Sequence, residues 1–177
     1  MAGTTAKILL AALALLLWGG AAGARTLTLA SPAFKDGDKL PRSMGCDGGE
    51  RSPALQISGA PEGTQTLALL ASEMDGGKAR STLWMAFNVP PATLAIPENQ
   101  PHARQMKPDG VQLSLPGGKP GYSGPCPPAG ATRQVMIELF ALDTSLDLPE
   151  SATRQEFLLA LEGHILARAK LTGKYKK

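Results

Sequence analysis

The chain has 177 residues, a formal charge of +3 and only 5% Phe, Trp and Tyr, which excludes the clustered basic face with stacking aromatics that nucleic-acid binding needs. That length fits one domain with one sizeable core, and 20 Gly with 15 Pro favour many turns over long helices. There is no repeat with a period of 20–50 residues and no low-complexity tract.

The first predicted element is a targeting segment. Lys7 is the only charge before Arg25, and Ile8 to Trp18 is an unbroken apolar run. Ala22-Gly23-Ala24 then supplies small residues in an A-x-A cleavage pattern. The run is shorter than the roughly 20 residues a helix needs to cross a bilayer core. Cleavage after Ala24 is expected, with residues 1–24 as a signal peptide and 25–177 as one exported domain, periplasmic or secreted. An uncleaved N-terminal anchor is the alternative. No cysteine lies near the cut, so lipid attachment is not indicated. Removing residues 1–24 takes away Lys7 and no acid, lowering the charge from +3 to +2. The terminal Lys174-Tyr175-Lys176-Lys177 reads as a solvated tail.

Short strands follow. Leu27 and Leu29 alternate with Thr26, Thr28 and Ala30, and Pro32 ends that strand. Residues 35–53 are rich in turn signals, including Asp36-Gly37-Asp38 and Asp47-Gly48-Gly49. Leu55-Gln56-Ile57 alternates again. Thr66 to Ala71 and Leu83 to Val89 are apolar runs short enough for core strands. Pro97 to Gly121 shows no period and reads as a long irregular loop of the kind that is often functional. Gln134 to Ala141 alternates as a mid-sheet strand. Thr153-x-x-Glu156 forms a capping-box pattern, and Phe157, Leu158, Leu161 and Ile165 continue it as a helix over about 153–166. Arg168 to Tyr175 returns as a closing strand. Five to seven short strands and one late helix predict an all-β, antiparallel two-sheet sandwich with one or two short C-terminal helices.

Cys46 and Cys126 are the only cysteines, and an oxidising compartment favours their pairing as a disulfide. The alternative is two buried thiols. Cys-x-x-Cys spacing is absent, and only His102 and His164 are available to complete a metal site, so no metal and no cofactor is expected.

The segment Gly121-Tyr122-Ser123-Gly124-Pro125-Cys126-Pro127-Pro128 excludes a helix interior and a central strand. It reads either as a stiff pocket wall or as a plain surface turn. Together with Ala141-Leu142-Asp143, Cys46-Asp47-Gly48-Gly49-Glu50-Arg51-Ser52-Pro53, Asn88-Val89-Pro90 and Leu161-Glu162-Gly163-His164, it resembles the phosphatidylethanolamine-binding protein family. The resemblance is to the bacterial, Raf-kinase-inhibitor-like (YbhB/YbcL) branch. Matching segments run from about Leu27 to Tyr175.

The resemblance implies the same sandwich and a small anion pocket at one end of it, taking phosphate or a phosphorylated headgroup. It implies a lining of an Asp-Pro-Asp-x-Pro loop, a His before a Trp, a Gly-Pro-x-Pro-Pro wall and a second His. Here Glu73 and Asp75 keep the two acids of a loop read as Ser72 to Gly77, without its prolines. Leu83 stands before Trp84 in place of the first His, and Arg133 replaces the second. Tyr122 and the wall of Gly124, Pro125 and Pro127 are intact. Arg133 is a permanently charged fork that can take phosphate or carboxylate, or can pair with Glu73 or Asp75 and neutralise the pocket. Leu83 donates no hydrogen bond. Each position has a plainer reading: Trp84 as a core aromatic, Glu73 and Asp75 as loop acids, Met74 and Met85 as gap-fillers, His102 as solvated, His164 as a half-buried helix residue.

Two functions compete: an exported module binding a small anion or polar headgroup, and a protein-interaction or protease/kinase-inhibitor-like module with a closed pocket. No Gly-x-Ser-x-Gly elbow or His-centred base is recognisable, so an enzyme is not expected. The sequence leaves monomer and homodimer open.

Overall fold

A computed structural model of the chain describes residues 26–115 and 118–177. The predicted signal peptide, 1–24, lies outside the described residues. Eight strands and one helix follow in order: β1 Thr28–Ala30, β2 Leu55–Ser58, β3 Thr66–Asp75, β4 Lys78–Val89, β5 Ala95–Ile96, β6 Val111–Gln112, β7 Thr132–Leu142, α1 Arg154–Leu161 and β8 Ile165–Lys176. They form a three-stranded sheet, β1-β2-β5, and a five-stranded sheet, β6-β4-β3-β7-β8. Every strand pair in both sheets is antiparallel.

Side-chain alternation gives the large sheet two apolar faces. Leu67, Leu69 and Ala71 of β3, with Ile137 and Leu139 of β7, meet Leu29, Leu55 and Ile57 of the small sheet. On the other face, Ala68, Leu70, Phe87 and Phe140 are covered by Phe157 and Leu161 of α1 and by Leu113 and Leu146. Two-sided burial explains why β3 reads as a continuous apolar run rather than as an alternation.

Several boundaries differ from expectation. The acidic segment 72–77 is not a loop. It is the end of β3 plus a two-residue turn, because Gly76 and Gly77 take φ values of 57° and 81°. Positive φ at both corners of a two-residue connection is the hairpin geometry that Gly-Gly favours, so β3 and β4 run on past the expected loop. The helix also stops earlier than 166. Gly163 has φ 81°, β8 begins at Ile165, and Ile165 is therefore a strand residue. His164 is exposed in the connection, 2.9 Å through Nδ1 from Asp143 Oδ1, not half-buried on a helix. The C-terminal lysine cluster is no tail either. Lys174 to Lys176 belong to β8, and Tyr175 is buried between them. The capping box is present: Thr153 Oγ1 accepts from Glu156 N at 3.2 Å, and Glu156 Oε2 accepts from Thr153 N at 2.7 Å.

Candidate functional site

The inter-sheet face of the large sheet ends in charge. Leu67, Leu69 and Ala71 lead by alternation to Glu73 and Asp75, and Ile137 and Val135 lead to Arg133. Arg133 Nε lies 3.3 Å from Glu73 Oε1, and Arg133 Nη2 lies 3.8 Å from Asp75 Oδ2. The Glu73 side chain is 8% exposed and that of Asp75 is 54% exposed, so the two contacts differ in kind. Glu73 is a buried carboxylate that requires a counter-charge. Asp75 is a solvated one that adds little. Despite its distance from Glu73, the Arg133 Nε–H is not directed at the carboxylate and makes no hydrogen bond. The guanidinium is thus held by charge, with its donors incompletely used.

A β-bulge brings Leu83 to the same face. Ala71 pairs with Trp84 and Ser72 pairs with Thr82, which leaves Leu83 as the extra residue of β4. Both Leu83 and Trp84 then enter the inter-sheet core, 4% and 0% exposed. Trp84 Nε1 donates to Gln112 Oε1 at 2.8 Å, which satisfies the indole within the core. Its ring meets Tyr122 edge-on, with centroids 6.0 Å apart.

The proline-rich segment is a wall bonded on several sides. Ser123 N donates to Leu83 O at 2.8 Å, which fastens the wall to the bulge. The Tyr122 hydroxyl donates to Met44 O at 3.0 Å, and burial pushes its pKa above the ordinary value. Gly124 N donates to Glu50 Oε1 at 3.2 Å. A Cβ on Gly124 would lie 2.4 Å from Met44 O, so only glycine admits this approach. Pro125 and Pro127 are buried, and Cys126 between them is exposed. A disulfide joins Cys126 to Cys46 with Cα atoms 5.3 Å apart.

Sequence reasoning missed two members of this region. Glu50 adopts φ 52°, uncommon outside glycine, while holding Ser123 and Gly124. Tyr175 pairs across strands with Arg133, and its hydroxyl contacts Asp47 and Arg42 O. Burial first, and then Asp47, push the Tyr175 pKa up to about 12, so it stays a protonated donor at neutral pH. A Cβ on Gly45 would fall inside the Tyr175 ring, so Tyr175 links the Arg133 end of the sheet to the disulfide loop. The available signal was period-2 burial in Leu171, Gly173 and Tyr175.

The structure therefore places the nine predicted site residues in two groups. Glu73, Asp75 and Arg133 cluster at the hairpin tip. Leu83, Trp84, Tyr122, Gly124, Pro125 and Pro127 belong to the bulge and wall beside it. On the outer side of the wall, Glu50, His102, Lys119, Tyr122 and Ser123 line a cleft of about 500 Å³.

Comparison with known proteins fits this architecture. A family model described as phosphatidylethanolamine-binding protein matches residues 30–176. A UPF0098 protein of Methanothermobacter thermautotrophicus is 39% identical over 151 residues, covering 85% of this chain and 99% of the relative. A candidate lipoprotein of Mycobacterium tuberculosis, LppC, is 32% identical over 157 residues, covering 88% of this chain and 75% of the relative. The crystal structure of YbcL from E. coli, described as a member of the mammalian PEBP family, superposes with a TM-score of 0.76 at 25% identity, covering 85% and 98% of the two chains.

Proposed function

Because the chain belongs to the phosphatidylethanolamine-binding protein family, we propose that it is an exported binding module for a small anion or a phosphorylated polar headgroup, received at Arg133. The observation that carries this reading is the incomplete use of Arg133. Its Nε is shut off from solvent beside Glu73, but its Nη2 has only a 3.8 Å pair with Asp75, a carboxylate that solvent already serves. An incoming phosphate oxygen displaces Asp75 at little cost and gains a directed, charge-assisted bond. Glu73 stays beneath as the buried counter-charge. The reading is of a binding module and not of an enzyme. Export draws support from the disulfide and from the relative named as a candidate lipoprotein.

The Arg133–Glu73 pair favours a second reading, in which the site is self-neutralised and the protein acts through contacts with another protein. Thermal melting with millimolar phosphate, phosphoethanolamine or citrate separates the two. A ligand at 100 times its Kd adds about 2.7 kcal/mol, or roughly 5–10 °C for a domain of this size. Glu73→Gln weakens the internal competitor, so it is expected to enlarge the shift. Adding Arg133→Ala to Glu73→Gln is expected to remove it. If no anion shifts either the native protein or Glu73→Gln, the binding reading falls and the interaction reading stands.

A further inference from the structure

We propose a second anion site at the hairpin end of β4, in the cleft between β4 and the start of α1. It takes a small amphiphile with a phosphate or carboxylate head and an apolar body. The cleft measures about 490 Å³, and Arg80, Arg154, Ser81, Thr82 and Ser123 contribute to its lining. Two guanidinium groups and three hydroxyls therefore converge on it, and no acidic residue lines it among the described residues. Its volume falls within the range of small-molecule sites.

Arg154 is the anchor. It makes no ion pair among the described residues, and its Nε is shut off from solvent with no hydrogen-bond partner. The Nε itself is out of reach of an anion in the cleft, but the terminal guanidinium nitrogens, which make no ion pair among the described residues, offer it charge-assisted bonds. Arg80 has a partner, Asp75 at 3.6 Å, but both side chains are more than half exposed, so that pair yields readily. The end of α1 is not the receptor, since Thr153 and Glu156 already cap it.

The apolar half of the ligand follows from the adjoining cleft. That second space, about 440 Å³, shares Thr82, Leu115 and Arg154 with the first and adds Met85 and Ala152. A molecule lying across both puts its charge at the arginines and its body on Met85 and Leu115. The site borders that of Arg133. Thr82 is the cross-strand partner of Ser72, on the β3 face of Ala68 and Leu70, whereas Ser81 pairs with Glu73 and Arg80 shares Asp75 Oδ2 with Arg133.

Calorimetric titration with phenyl phosphate, and separately with inorganic phosphate, tests the proposal at low ionic strength in the Glu73→Gln/Arg133→Ala protein, which lacks the receptor proposed above. Phenyl phosphate is expected to bind the more tightly. In that background Arg154→Ala and Arg80→Ala are each expected to weaken it about tenfold. Arg80→Ala guards against a folding defect in the other variant, because the Arg80 side chain is 58% exposed. Absence of phenyl phosphate binding overturns the proposal. So does binding that survives Arg80→Ala unchanged in that background.

Discussion

Arg133 touches two carboxylates, yet only Glu73 depends on it, because Glu73 is the buried member of the pair. Arg133→Ala alone is therefore expected to destabilise the fold by about 3–5 kcal/mol, the usual result of stranding a buried charge. Glu73→Gln/Arg133→Ala is expected to recover most of that loss in urea denaturation. Equal stability of the single and double variants would show that Glu73 is not charged against Arg133. Leu83 invites the reverse experiment. Leu83→His places an imidazole at the bulge beside the wall, and burial there lowers the pH at which it becomes charged. Relative to the native protein, the phosphate-induced melting shift is then expected to gain more at pH 5.5 than at pH 7.5; no gain at either pH would place position 83 outside the anion's reach. Sequence alone marked Arg133 and both acids, and it left ion pair and anion receptor as alternatives. It said nothing of how completely the guanidinium is used, since that depends on angles set by two strands, β3 and β7. Glu50 was invisible for a similar reason: its role follows from a positive φ and a contact with Gly124 across the disulfide loop.

At the scale of elements, the hairpin and the helix show where local signals compete. Gly76-Gly77 reads as a loop on composition and as a two-residue turn on geometry, and the two-sided burial of β3 decides for the turn. The helix boundary fails at Ile165 because helical spacing extends past a glycine that breaks it. Thr153 and Glu156, by contrast, were legible because a capping box is local. The Thr153 backbone N–H first, and then its hydroxyl, hold the Glu156 carboxyl below its ordinary pKa, and bonds from Thr172 do the same for Asp36. A depressed folded-state pKa gives stability that is present above the ordinary carboxylate range and is lost as pH falls through the lowered value. The stability gap between native protein and Glu156→Gln is therefore expected to shrink between pH 6 and pH 3. A constant gap would mean that the carboxylate charge contributes nothing. The proline-rich wall predicts a steric effect instead. Gly124→Ala drives a Cβ against the Met44 and Gly45 backbone, which cannot rotate away, and is expected to cost about 1–3 kcal/mol by chemical denaturation.

At the scale of the molecule, the sandwich was readable because turn residues and apolar runs recur along the whole chain. The small sheet was less so, since β5 is two residues long and is recognisable only through its pairing with β2. The disulfide ties residues 80 apart and fastens the wall to the 42–50 segment. Its reduction is expected to lower stability by about 4–5 kcal/mol through chain entropy, and to loosen Tyr122 and Gly124 with it. Denaturation curves with and without reductant check this, and coincident curves would contradict it. These effects converge on one arrangement, in which a wall braced by the disulfide flanks a guanidinium that is paired but not saturated. The most direct measurement is a crystal structure grown from phosphate buffer. The account predicts an anion bonded to Arg133 Nη2, with Asp75 turned to solvent and Glu73 still beneath. Arg133 resting on both carboxylates, with no anion at its Nη2, would contradict it.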